Sequence, residues 1–99
     1  MISGKDRSYL KGLAHNLQPL LHIGKNGLSE SFYAEADKIL DDHELVKFAI
    51  LDAADLKAKP TANQVAEALE AEFIQAVGKK FVLYRRSRTL SAADRIRLP

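Results

Sequence analysis

The sequence predicts an α/β fold: a single two-layer domain in the order α-β-α-β-α-β-β, with a mixed four-stranded sheet and helices packed on it. Three observations predict it. Apolar residues recur at helical spacing in three separate segments. Leu45 to Leu51 is apolar on nearly both faces, as a central strand must be. A Gly-x-x-Gly loop, Ile23-Gly24-Lys25-Asn26-Gly27-Leu28-Ser29, joins a short apolar run to an amphipathic segment. Strand-helix-strand occurs twice over, which calls for right-handed crossovers.

Each element has its own signal. Ser3 caps a first helix whose Leu10, Leu13, Ala14 and Leu17 follow the i, i+3, i+4, i+7 pattern, with Lys5, Arg7 and Lys11 mostly opposite. Asn16 and Pro19 end it. Leu20 to Ile23 is a short strand. Ser29 caps the second helix, with Leu28 and Tyr33 placed as a hydrophobic staple. Phe32, Tyr33, Ala36, Ile39 and Leu40 form its apolar face, and Asp41-Asp42-His43-Glu44 reads as a solvated polar exit. In the strand that follows, Val46, Phe48 and Ile50 point one way. Asp52 to Lys59 is a polar linker. Pro60 opens a third helix with a Thr61/Gln64 capping box and an inner face of Ala62, Val65, Ala66 and Leu69. Phe73–Val77 and Phe81–Arg85 are two strands joined at Gly78-Lys79, which fits a type II′ hairpin. Ser87 to Pro99 is basic and weakly patterned. It reads as a loosely held tail with a short helix over Ala92–Ile96, so residues 1–86 form the domain and 87–99 a basic tail.

Ninety-nine residues suffice for one core. Without cysteine there is no disulfide, thiolate metal site or cysteine nucleophile, which fits a reducing compartment. No run is long and apolar enough to span a bilayer, and the N-terminus lacks a secretory stretch, so the chain is read as cytoplasmic. Charge is segregated. Residues 1–29 carry four basic and one acidic side chain, residues 30–76 four and eleven, and residues 77–99 seven and one. Brought together, the two basic ends would make a positive face suited to a polyanion.

Two glycines let the chain turn tightly and let a ligand approach the backbone. The helix start that follows presents free N–H groups and partial positive charge, Lys25 a mobile cation and Asn26 an amide. Such a loop suits a phosphate, and in a small domain the phosphate of a nucleic-acid backbone. Catalytic motifs are missing. His15, His22 and His43 form no ligand pair, and no serine sits in a nucleophile elbow. A metal or acid–base site at His43 with Asp41, Asp42 and Glu44 is outweighed by a solvated helix exit. No catalytic residue, metal or cofactor is expected. The alternative is a protein-interaction module that offers Glu35, Asp37, Asp41, Glu67, Glu70 and Glu72 to a basic protein partner.

Three motifs in order, Leu20-Leu21-His22-Ile23-Gly24-Lys25-Asn26-Gly27-Leu28, His43-Glu44-Leu45-Val46-Lys47, and Val77-Gly78-Lys79 with Leu83-Tyr84-Arg85, resemble the CRM domain (chloroplast RNA splicing and ribosome maturation). The likeness runs from about Lys5 to about Arg86 and is to the bacterial single-domain, YhbY-like form. It implies a fold similar to the C-terminal domain of translation initiation factor three. It also implies RNA binding through Gly24, Lys25, Asn26 and Gly27, as in the loop of KH domains. For the bacterial form it implies ribosomal RNA in precursors of the large subunit as partner, and makes basic ribosomal proteins the partners of the alternative protein-interaction reading. Lys79, Lys80, Arg85 and Arg86, with Lys5, Arg7 and Lys11, join the expected site on charge and placement alone. Phe32 and Tyr33 are expected in the core, and the chain is read as a monomer.

Overall fold

The computed structural model describes residues 2–99. Its elements are α1 (Gly4–Ala14), β1 (Leu21–Ile23), α2 (Glu30–His43), β2 (Leu45–Ile50), α3 (Ala58–Leu69), β3 (Glu72–Val77) and β4 (Lys80–Tyr84), with a 3-10 turn at Asp52–Ala54. This is the expected order. The sheet runs β1-β2-β4-β3, with β1 parallel to β2 and the other pairs antiparallel. β2 therefore has partners on both sides, as its double-faced apolar pattern requires.

The alternation along each strand sorts residues between two cores. On one face Leu21, Ile23, Val46, Phe48, Ile50, Phe81 and Leu83 meet Phe32, Ala36 and Leu40 of α2 and Ala58, Ala62, Val65 and Ala66 of α3. Phe48 and Phe81 stack at the centre, 4.7 Å apart. On the other face Leu45, Ile74, Val82 and Tyr84 meet Leu10 and Ala14 of α1, with Ile96 and Leu98 from the C-terminal segment. The sheet and the α2–α3 pair are the two expected layers, and α1 adds a partial third. Because α1 covers only part of that face, Leu13 stays 40% exposed despite its helical spacing.

Local chemistry explains the boundaries. Ser3 and Asp6 cap α1 reciprocally, the Asp6 amide donating to Ser3 Oγ at 3.0 Å and the Ser3 amide to Asp6 Oδ2 at 3.2 Å. α3 starts earlier than expected. Pro60 lies in its first turn, where a missing N–H breaks no hydrogen bond. The Thr61 amide donates to Lys57 O, so Thr61 is inside the helix and is not its cap. Gly78 takes φ 61° in the two-residue β3–β4 turn, and Lys79 does not take a positive φ, as type II′ requires.

The polar exit of α2 is not solvated. Asp41 and Glu44 are buried, and their partners lie more than forty residues away in sequence. Arg85 donates through Nη1 to Asp37 Oδ1 (2.8 Å) and Leu69 O (3.0 Å), and through Nη2 to Asp37 O (2.8 Å). Its Nη2 also lies 3.3 Å from Asp41 Oδ1. Arg88 grips the same two carboxylates, reaching Asp37 and Asp41 at 2.8 Å each. The Glu44 carboxylate accepts from the Ser87 and Ile96 amides, both at 2.6 Å. Residues 87–98 are thus fastened to the domain instead of loose, and in place of the helix expected over Ala92–Ile96 there is a turn at residues 92–94.

Arg85→Ala takes a buried donor from Asp37 and Leu69 O and leaves Asp41 to Arg88 alone, and should lower stability by about 2 kcal/mol, read as a shifted denaturation midpoint at unchanged slope. The cluster also carries acid sensitivity. The Arg85 hydrogen bond holds Asp37 below its ordinary value, and Arg88 holds Asp41 far below it. Groups depressed on folding stabilise fully above the unfolded carboxylate value of about 3.9, and that contribution is lost as pH falls further. Unfolding midpoints measured from pH 5 downward (the range is about 5 to 2) should fall more steeply for the parent than for Asp41→Asn. Equal slopes would remove the cluster as the cause.

Candidate nucleic-acid interface

Because β1 is parallel to β2, its C-terminal end lies beside Ile50, and the Gly24–Gly27 turn leaves from there. The Gly27 amide donates to Gly24 O at 2.9 Å and closes a four-residue turn with Lys25 and Asn26 exposed at its tip. Gly27 has φ 62°, which disfavours any side chain. Gly24 does not take a positive φ, and a Cβ there would meet only Leu51 Cδ1 at 3.9 Å, an ordinary contact. The fold therefore demands glycine at 27 but not at 24. At 24 a side chain would obstruct only what approaches from outside.

Ser29 caps α2, its Oγ accepting from the Phe32 amide at 3.1 Å. The amides of Glu30 and Ser31 have no acceptor among the described residues and mark the positive end of the helix dipole. Turn and helix start frame an open cleft of about 400 Å³, which His22, Ser29, Ser31 and Glu35 also line. Glu35 is the one carboxylate there, so Lys25 and the helix end must outweigh it. His22 was not among the expected site residues. Its outward position follows from Leu21 and Ile23 pointing into the core.

The other expected basic residues divide between two ends of the sheet. Lys79 and Lys80 lie at the loop end, since the Ile50 amide donates to Lys79 O at 2.7 Å and Lys80 pairs with Ala49. Lys79 Nζ is paired with Asp52, which lowers the Asp52 pKa and occupies part of that charge. Arg85 and Arg86 follow β4 at the opposite end, about 20 Å from Lys80 at the rise of an extended chain. Arg85 is 9% exposed and held by Asp37 and Asp41, so it is a structural cation and is not part of an exposed basic face. Arg86 is exposed. Arg7 is at the same far end, its Nε donating to Phe73 O at 3.0 Å, while Lys5 and Lys11 are exposed on α1. The two basic termini do not merge with the loop into one continuous face. Among the described residues no group of three metal-capable side chains comes together, and Asp41 and Glu44 are occupied by arginines and amides.

Gly27→Ala should cost about 1 kcal/mol in chemical denaturation, whereas Gly24→Ala should be nearly neutral. Equal costs would mean that the fold uses both glycines alike.

Residues 2–85 match the model of the CRS1 / YhbY (CRM) domain. The chain is 37% identical over 86 residues to a Haemophilus influenzae protein named "RNA-binding protein", covering 87% of each. It is 26% identical over 88 residues to the Bacillus subtilis (strain 168) "Probable RNA-binding protein YqeI", covering 89% of this chain and 92% of that one. A Staphylococcus aureus protein solved in solution superposes with a TM-score of 0.76 at 34% identity, over all of both chains.

Proposed function

This chain belongs to the CRS1 / YhbY (CRM) domain family, and we propose that it is a non-catalytic RNA-binding protein whose Gly24–Gly27 turn holds the RNA backbone. One observation carries the reading: Gly24, a glycine that the fold does not require, opens the turn and lines one cleft with the capped start of α2. A phosphate seated there meets the first-turn amides, the helix dipole, Lys25 and the Asn26 amide, which together replace its hydration. Lys79 and Lys80 add charge at the same end. Arg86, Lys5 and Lys11 contribute only to an RNA long enough to reach the far end. The relatives' names support RNA as the partner. The finer target, ribosomal RNA in large-subunit precursors in the cytoplasm, rests on the likeness of the three motifs to YhbY-like proteins. Binding is by a monomer.

The alternative, an acidic protein-docking face, is weakened because Asp37 and Asp41 are already paired with Arg85 and Arg88. Arg85→Ala is unsuited to testing RNA contact, since it removes a folding interaction.

Gly24→Asp places bulk and negative charge against the phosphate, and combined with Lys25→Ala it should weaken binding at least tenfold, about 1.4 kcal/mol, with an unchanged melting temperature. For the parent, four or five phosphate contacts on single-stranded RNA give a log–log salt slope near −3. A folded double variant that binds RNA like the parent would reduce the loop to a simple turn. Crosslinking in cells with sequencing of the attached RNA tests the ribosomal assignment; RNA other than large-subunit precursor would overturn it.

A further inference from the structure

We propose that the part of the sheet left uncovered by α1 is a second RNA-contacting surface, which carries the strand from the Gly24–Gly27 cleft across His22 to Lys80 and Lys47. The proposal rests on the RNA-binding reading above and extends it to residues outside the loop.

The surface follows from register. His22 pairs with Ala49, Ala49 with Lys80, and Lys80 with Val77, so one row crosses all four strands. The next row is Lys47, Val82 and Gln75. Both rows lie on the face where Leu10 and Ala14 pack, but α1 covers the end holding Leu45, Ile74, Val82 and Tyr84, so the second row, with Lys47 and Gln75 half-buried, forms the edge of the cover and the first row lies outside it. Beyond it the sheet is open: Val77 is 68% exposed, and His22 and Lys80 are exposed. A shallow cleft of about 290 Å³ lies here, lined by His15, Lys47, Gln75, Val77, Lys80 and Val82.

Charge selects the occupant. Neither row contains a carboxylate, although the chain has 13 acidic residues. Unlike Lys79, neither Lys47 nor Lys80 forms an ion pair among the described residues. A lysine at the centre of a four-stranded sheet, between apolar neighbours, keeps its charge only on a face that stays wet or meets an anion. Continuity selects it too. His22 both lines the loop cleft and heads the row, two strand spacings, about 10 Å, from Lys80. The His22 imidazole is the one aromatic ring in the two rows, so the contacts at Lys47 and Lys80 go to phosphate and carry no sequence preference.

The test uses two single-stranded RNAs of the same composition, one of about 4 nucleotides, the span a Gly-x-x-Gly loop clamps, and one of about 12, within the range of extended sites. The parent should bind the longer one more tightly. Lys47→Ala with Lys80→Ala should abolish most of the gain from length and weaken the short RNA far less than the long one, since Lys80 reaches the loop end only through its charge. The salt slope for the long RNA should become shallower by about 1.4, or two phosphates. Lys80→Ala alone, at an exposed position, should remove about half of that change and keeps the result readable if Lys47→Ala lowers stability. Parent-like affinity and slope in the lysine variants would overturn the inference, and the loop reading would stand if Gly24→Asp still lost the short RNA. Loss of both RNAs in Gly24→Asp with no effect of the lysines likewise overturns the second surface and leaves the loop in place. No effect of Gly24→Asp on either RNA overturns the loop reading, and the lysine variants then judge this face by themselves.

Discussion

The guanidinium of Arg85, buried between Asp37 and Asp41, is the interaction on which the placement of everything else depends. α2 is 14 residues long, about 21 Å at 1.5 Å per residue. Its last turns carry Asp37, Asp41 and Asp42, charges that the negative end of a helix dipole disfavours. Arg85 and Arg88 reverse that penalty and tie the helix to the end of β4, while Arg85 also reaches the last turn of α3 through Leu69 O. With its C-terminal end held, α2 has one direction to run, and its capped N-terminus arrives beside Gly27. The same helix is a structural anchor at one end and an anion-seeking surface at the other.

Periodicity made the elements legible. Alternation in Leu45–Ile50 identified the central strand, and Ser3 and Ser29 identified two helix starts by their chemistry. What stayed hidden was every pairing between charges distant in the chain. Asp41 and Glu44 read as solvated because nothing near them in sequence could neutralise them; the partners come from residues 85, 87, 88 and 96. The C-terminal segment looked loose for the same reason, since its few apolar side chains show no period and its anchors, the Arg88 side chain and the Ser87 and Ile96 amides, have acceptors far back in the chain. Arg85 read as an exposed cation because a strand pattern tells which face a residue takes and not what waits there.

At the candidate site the pattern was visible and its physics was not. Gly-x-x-Gly could be read as a turn, but only the dihedral angles separate Gly27, which the backbone needs, from Gly24, which it does not. Lys47 carried a signal that went unused. In an otherwise apolar strand a single lysine marks a face that is only partly covered, and the cover thins at Lys47 where α1 stops short.

Charge segregation along the chain is a poor guide to the field that a ligand meets. Much of the acidic middle segment is consumed internally: Asp37 and Asp41 by arginines, Asp42 by Lys38, Asp52 by Lys79, and Glu44 by two amides. Those pairings cancel a large share of the C-terminal basicity that the sequence displays. At physiological ionic strength the screening length is about 8 Å, well short of the roughly 20 Å between the two ends of β4. Arg86 and the cations of α1 therefore contribute little to the potential at the Gly24–Gly27 turn. What counts there is local: Lys25, the open helix end, and the lysines of the sheet that no carboxylate meets. A small net charge is thus compatible with a concentrated positive site, because the fold pairs its charges unevenly.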